Sequence, residues 1–147
     1  MLVQTASGEM AEVGSQNGVV NRQYSIAPLT ADFNGDGRSD VVHINIAGNS
    51  QAFISSGDNS NGYLKIQLPE DIHSIGAMVE ITLEDGSTLF KPYVSGEGLA
   101  SDSSRMIIAG LAAQSASSVT VNFINGTTAT QDGTFRNETL TFESAGQ

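Results

Sequence analysis

The sequence predicts an all-β protein whose second half is an antiparallel β-sandwich. Apolar and polar residues alternate with a period of two over residues 77–83 and 118–124, as in strands with one buried face. Asp-Gly at 85–86 and Asn-Gly at 125–126 follow these stretches, and both pairs favour two-residue hairpin turns. No window repeats apolar residues at the spacing of an amphipathic helix, and only residues 110–117 are expected to form a helical turn. These patterns favour a sandwich of short strands.

Strands are expected along the whole chain except in residues 1–18, which show no period and are expected to be loosely ordered. The predicted strands cover residues 19–26, 41–46, 51–55, 63–68, 77–83, 88–94, 106–109, 118–124, 127–131 and 139–142. Further turns are expected at Asp132 and Gly133 and at Gly96 and Gly98. Residues 55–62 are rich in Gly, Ser and Asn, and they mark the expected boundary between a first segment, 1–60, and a second, 61–147.

The composition restricts the partners of the protein. The chain has 147 residues, and its 16 acidic against 6 basic residues give a formal net charge of −10. Nucleic acids and anionic membrane surfaces attract clustered Lys and Arg, so neither is expected as a partner. No apolar run reaches the roughly 18 residues of a membrane-spanning helix, so no membrane insertion is expected. The absence of Cys removes disulfides, thiolate zinc sites and thiol nucleophiles.

The most specific motif is an acidic loop that begins at Asp32. Oxygen-bearing side chains stand at loop positions 1, 3, 5 and 9, and these are Asp32, Asn34, Asp36 and Asp40. Calcium takes about six to eight oxygen ligands, and alternate residues of a tight loop can all point inward. The motif therefore predicts a Ca²⁺ site formed by these four side chains and the main-chain carbonyl of Arg38.

This loop differs from an EF-hand. Gly37 at position 6 permits the sharp backbone turn, but position 12 is His43, where an EF-hand has a bidentate Glu. The flanking residues also favour strands rather than helices. Asp40 is therefore expected to supply the closing carboxylate. The simpler alternative is a turn with solvated acidic side chains and no metal.

Residues 31–45, ADFNGDGRSDVVHIN, resemble the calcium loop and following strand of an FG-GAP or VCBS repeat, the unit of integrin-type β-propellers. The resemblance implies an N-terminal, propeller-blade-like hairpin that carries the calcium loop. One repeat cannot close a propeller, because a propeller needs several blades. We therefore expect the chain to be a fragment of a longer protein, or the hairpin to pack against the next domain.

The second segment is similar to the ASPIC/UnbV domain, which follows FG-GAP repeats in the cartilage acidic protein family and in many bacterial exported proteins. Four stretches carry the resemblance in the right order: NGYLKIQL from residue 61, SIGAMVEITLEDGS from 74, VSGEGLASDSSRMIIAGLA from 94 and SVTVNFINGTT from 118. The chain departs from the family pattern at residues 108–112, at residues 123–126 and at Asp102. The resemblance implies an extracellular, cell-surface or periplasmic location, although the first residues show no signal-peptide pattern.

The sequence predicts a non-enzymatic, calcium-binding interaction or adhesion module with an unidentified protein or glycan partner. No nucleophile elbow, zinc-protease or Walker motif occurs, and the two His residues are expected to have packing or surface roles. The alternative is a carbohydrate-binding accessory domain of a polysaccharide-processing protein. Tyr63, Phe90, Tyr93 and Phe123 would form its aromatic platform, although such alternating aromatics are more often core. An accessory role in biosynthesis or assembly rests on the UnbV resemblance alone.

Overall fold

The computed structural model describes residues 2–5, 7–57, 60–96, 102 and 104–143. Within these ranges the chain forms β-strands and no helix, so the all-β prediction is confirmed. The described residues therefore contain no helix with the length and apolar character needed to cross a membrane. The predicted boundary at 55–62 and the predicted turn at Gly96 and Gly98 lie partly outside the described residues.

The strands of the first segment form two small sheets. β1 (Leu2–Gln4) pairs with β2 (Met10–Glu12) in an antiparallel hairpin. The second small sheet is an antiparallel meander of β3 (Ser25–Ala31), β4 (Asp40–Asn45) and β5 (Gln51–Phe53). We call this three-stranded sheet the N-terminal sheet. The acidic loop connects β3 to β4.

The strands of the second segment form the two sheets of a sandwich. They are β6 (Gly62–Gln67), β7 (Met78–Leu83), β8 (Thr88–Pro92), β9 (Ile107–Ala112), β10 (Ala116–Asn122), β11 (Thr128–Phe135) and β12 (Glu138–Thr141). One sheet has the strand order β11-β10-β7-β8, and the other has the order β12-β6-β9. Within the described residues, no sheet contains strands from both segments.

The hydrophobic core lies between these two sheets. Leu64 and Ile66 on β6 and Val79 and Ile81 on β7 are fully buried, and the residues between them are less so. This alternation is the period-two pattern that the sequence shows. Every buried hydrophobic side chain among the described residues lies between Leu64 and Phe142. The predicted β-sandwich is therefore present in the second segment.

The hairpin of β7 and β8 forms as predicted. Gly86 has a φ of 83°, the left-handed value that an Asp-Gly turn needs. Asp85 accepts hydrogen bonds from the hydroxyl and the backbone N–H of Ser87 at 2.6 and 2.8 Å and from Gln114 Nε2 at 2.7 Å. The two hydrogen bonds from Ser87, and to a lesser extent the one from Gln114, hold the pKa of Asp85 below its usual range. This turn is thus tied to the connection between β9 and β10.

The predicted turn at Asp132 and Gly133 is wrong. β11 runs through both residues, Asp132 lies opposite Ser118 of β10, and the φ of Gly133 is not positive. The chain turns instead at Asn137, whose φ is 57°. There it crosses to the other sheet, so β12 has no hairpin partner and pairs in parallel with β6. The sandwich is antiparallel, as predicted, and this edge pair is the one parallel exception among the described strands.

Three local expectations also need correction. Residues 1–18 contain the hairpin of β1 and β2, although their sequence has no period. Residues 19–24 lie outside any strand, and β3 begins at Ser25. Residues 110–117 end β9 and begin β10 without a helical turn, because the chain reverses after Ala112, which has a φ of 52°.

The N-terminal sheet has no buried hydrophobic side chain of its own among the described residues. Several apolar side chains in and around it stay substantially exposed: Val20, Tyr24, Ile26, Phe33, Ile44, Ile46 and Ile54. A sheet is stable when its apolar face is covered by another layer. The acidic loop contacts β6 of the sandwich through the ion pair of Asp32 with Lys65, and this contact helps to position the sheet.

Candidate metal centre

The carboxylate of Asp32 organises the loop between β3 and β4. Its Oδ1 accepts hydrogen bonds from the backbone N–H groups of Gly35 and Asp36 at 2.7 and 3.0 Å. Its Oδ2 accepts a hydrogen bond from the N–H of Gly37 at 2.8 Å. Short Asp side chains stabilise tight turns by binding nearby backbone amides in this way. Asp32 therefore holds the main chain of the loop in a closed turn.

Asn34 and Asp36 lie on the same turn. Asn34 Nδ2 donates a hydrogen bond to Asp36 Oδ2 at 2.9 Å, and Asn34 Oδ1 accepts one from the Asp36 N–H at 3.2 Å. Asp36 Oδ1 accepts a hydrogen bond from the Arg38 N–H at 2.9 Å. The Arg38 guanidinium is 4.0 Å from Asp36 Oδ2, and both side chains are partly exposed, so this pair contributes little. The structure thus brings Asp32, Asn34 and Asp36 together.

Asp40 lies at the base of the loop and is buried, with 1% of its surface exposed. Its Oδ2 accepts a hydrogen bond from the Phe33 N–H at 2.8 Å, and its Oδ1 accepts one from the Ser55 N–H at 2.7 Å. These two bonds connect the first residues of the loop to the chain that follows β5. Asp40 therefore holds the base of the loop together through backbone amides, and its role as the closing carboxylate of a metal site stays a prediction.

Two side chains of β6 hold the loop against the sandwich. Lys65 Nζ forms an ion pair with Asp32 Oδ2, and 15% and 5% of the two side chains are exposed. The same Nζ lies 5.5 Å from the centroid of the Tyr63 ring, a cation–π distance. Burial alone would raise the pKa of Asp32, but Lys65 and the amides of Gly37 and Gly35 outweigh it and hold that pKa below its usual range.

Gly37 lies directly on the Tyr63 ring. A Cβ added at Gly37 would lie 2.1 Å from Cδ1 of that ring, and Gly37 also has a φ of 83°. The loop can therefore approach β6 only because Gly37 has no side chain. A cleft of about 390 Å³ remains beside this contact, lined in part by Asp36, Asn137 and Ile108. This cleft borders the loop at Asp36 and Gly37.

Gly37→Ala is expected to separate the loop from β6. The left-handed φ costs an alanine about 1–2 kcal/mol, and the displaced Tyr63 ring adds to that cost. Gly35→Ala is the matched control, since Gly35 has a φ of 81° but nothing within 4 Å of its added Cβ. Urea denaturation should show a larger loss of stability for Gly37→Ala than for Gly35→Ala. Equal losses would contradict the packing argument.

The side-chain oxygens of the loop are the type of ligand atom that calcium prefers. Three carboxylates and one amide are hard ligands within one nine-residue loop. In the conformation described, no three Asp, Glu, His or Cys side chains of the described ranges are grouped to hold a metal. In the same conformation, Asp32 is engaged by Lys65, and Asp40 is engaged by two backbone amides. The ligand set of Asp32, Asn34, Asp36, Asp40 and the Arg38 carbonyl stays a prediction, and binding would require Asp32 to exchange a partner.

Sequence reasoning missed Lys65, Tyr63 and Ser55, which contact the loop. Lys65 has the sequence position of an ordinary outward-facing strand residue between two apolar neighbours. One signal was present, since Lys65 is one of only two lysines in a chain of net charge −10. A cation on the strand next to the expected boundary is a candidate partner for the acidic loop.

The other candidate side chains are distributed through the structure. His43 packs edge-to-face on Phe53, with ring centroids 5.7 Å apart, which is a packing role. Tyr93 and Phe123 are buried in the core, as expected, whereas Phe90 is 60% exposed, so its core assignment is wrong. The aromatic residues therefore do not form one carbohydrate platform.

The comparisons with known proteins address the sandwich rather than the loop. The family model for ASPIC and UnbV matches residues 69–147, slightly more than half of the chain. A search of curated proteins gave no match. The matched region contains β7 to β12, whereas β6 and the acidic loop precede it. The chain belongs to the ASPIC and UnbV family.

Proposed function

We propose that this chain is a non-enzymatic, calcium-binding interaction module of a larger exported or surface protein. Its acidic loop binds one Ca²⁺ through side-chain oxygens of Asp32, Asn34, Asp36 and Asp40 and the carbonyl of Arg38. The ion stiffens the loop and the N-terminal sheet that the loop belongs to. The observation that carries the proposal is the grouping of Asp32, Asn34 and Asp36 in one turn.

The charge distribution supports a cation as the ligand. Asp32, Asp36 and Asp40 lie within nine residues, and their mutual repulsion is relieved by a divalent ion. The conformation described already uses a cation for this purpose, since Lys65 neutralises Asp32. The cleft beside Asp36 leaves room for an ion to enter.

The exposed apolar residues support an interaction role. Ile26, Ile44, Ile46 and Ile54 all stay partly or largely exposed in or beside the N-terminal sheet. Membership of the ASPIC and UnbV family supports a non-catalytic module. The occurrence of ASPIC/UnbV domains in exported proteins supports a location outside the cytoplasm. The partner is a protein or a glycan. The carbohydrate-binding alternative is the weaker one, because Tyr93 and Phe123 are buried in the core.

Calcium should raise the melting temperature of the chain. At a free Ca²⁺ concentration of about ten times Kd, binding to the folded state alone adds about 1.4 kcal/mol of stability. For a chain of this size that corresponds to an increase of about 3–6 °C. The increase should disappear in Asp36→Ala and persist in Asp132→Ala, which removes an exposed acid on β11. A calcium effect that is equal in both variants would contradict the assigned site.

A further inference from the structure

The carboxylate of Asp32 has no unused hydrogen-bonding position. Its Oδ1 accepts two backbone N–H groups, from Gly35 and Asp36, and its Oδ2 accepts the Gly37 N–H and the Lys65 ammonium. A carboxylate offers about four lone-pair positions, so all are occupied. A metal ion can reach Asp32 only if one of these four donors leaves.

Lys65 is the donor that can leave at least cost to the loop. The three amides belong to the loop itself, and breaking their bonds would open the turn. Lys65 belongs to β6 of the sandwich and reaches Asp32 from outside the loop. It is also the donor that a calcium ion would repel, because both are cations. Water screens this repulsion only weakly, since the Lys65 and Asp32 side chains are 15% and 5% exposed.

We propose that Lys65 and Ca²⁺ are alternative partners of Asp32, so that calcium binding releases the Lys65 ammonium and breaks the ionic link between the acidic loop and β6. This inference rests on the proposed calcium site. Without calcium, Lys65 neutralises Asp32 and ties the N-terminal sheet to the sandwich. With calcium, the ion neutralises the loop, and the Gly37–Tyr63 contact remains as the link to β6. Each cation weakens the binding of the other by the same factor.

Calcium titration of lysine variants tests this competition. Lys65→Met removes the charge and keeps a long apolar side chain, and Lys91→Met makes the same change at the chain's other lysine, on β8. Isothermal titration calorimetry should give a Kd for Ca²⁺ about tenfold lower in Lys65→Met than in Lys91→Met. Lys65→Arg keeps the charge and should bind calcium about as weakly as the unmodified chain.

A second measurement needs no substitution. The unmodified chain is treated with an amine-acylating reagent, with and without calcium, and acylation at Lys65 and Lys91 is measured by mass spectrometry. Calcium should raise the acylation of Lys65 about threefold or more, because the released ammonium becomes accessible, and Lys91 is the internal reference. This readout applies even if Lys65→Met fails to fold.

The outcomes separate this inference from the proposed function. An equal Kd in Lys65→Met and Lys91→Met, with no change in Lys65 acylation, overturns the competition and leaves the calcium site intact. Calcium binding by Lys65→Met but not by the unmodified chain supports the competition. Absence of binding in every variant, including Lys65→Met, overturns both proposals and makes Lys65 a permanent substitute for the metal.

Discussion

Leu64→Ala is expected to be the most destabilising single substitution in the sandwich. Leu64 is fully buried in the middle strand of the β12-β6-β9 sheet, opposite Glu138 on one side and Ala109 on the other. Removal of such a side chain costs about 2–5 kcal/mol, from lost burial and the cavity that remains. The melting temperature should fall by roughly 5–15 °C. Because Leu64 lies between Tyr63 and Lys65, the contacts that hold the acidic loop should weaken with it.

Leu2→Ala is the control for this substitution. It makes the same chemical change at a side chain that is 62% exposed on β1, outside the core. Its effect should stay within about 0.5 kcal/mol, as for most surface positions. If Leu64→Ala lost no more stability than Leu2→Ala, the hydrophobic core would not lie between the two sheets of the sandwich.

Asp40→Ala should open the base of the acidic loop. The substitution leaves the N–H groups of Phe33 and Ser55 without their acceptor, and an orphaned, shielded donor costs about 1–3 kcal/mol. The expected loss in the free energy of unfolding is about 2–4 kcal/mol. Asp40 lies outside the hydrophobic core of the sandwich, so the effect should be local. Hydrogen exchange should therefore accelerate in the amides of β4 and β5 and stay slow in β7 and β10.

Ser39→Ala serves as the local control, since Ser39 is exposed and adjacent to Asp40. It should leave exchange in β4 and β5 unchanged. Asp40→Asn retains one acceptor oxygen, so its exchange rates in β4 and β5 should lie between those of Asp40→Ala and Ser39→Ala. Acceleration that is uniform over the whole chain in Asp40→Ala would contradict a local role, because it would show that the sandwich depends equally on Asp40.

The fold class was predictable because the core pattern is local. Strands β7 and β10 alternate buried and less buried residues, and the Asp85–Gly86 pair fixes the hairpin between β7 and β8. These features depend on residues close in sequence, which periodicity detects. The β1–β2 hairpin was missed because its strands are three residues long, too short for a period to be seen.

The errors arose where distant residues decide the outcome. Asp132 and Gly133 have the composition of a turn, but pairing with β10 keeps both extended. The parallel pairing of β12 with β6 joins residues more than 70 positions apart, which no local pattern reports. The acidic loop was found because its own residues define it. Its contacts with Tyr63 and Lys65 were missed because a separate strand supplies them.

Calorimetric titration of the chain with Ca²⁺ at neutral pH, beside the Asp36→Ala variant, tests the central claim most directly. The account predicts one Ca²⁺ per chain, with a Kd of about 10⁻⁴–10⁻³ M, as in extracellular modules. It also predicts that Asp36→Ala loses this binding. Binding that is unchanged in Asp36→Ala, or no binding by either the unmodified chain or its Lys65→Met variant, would contradict the account.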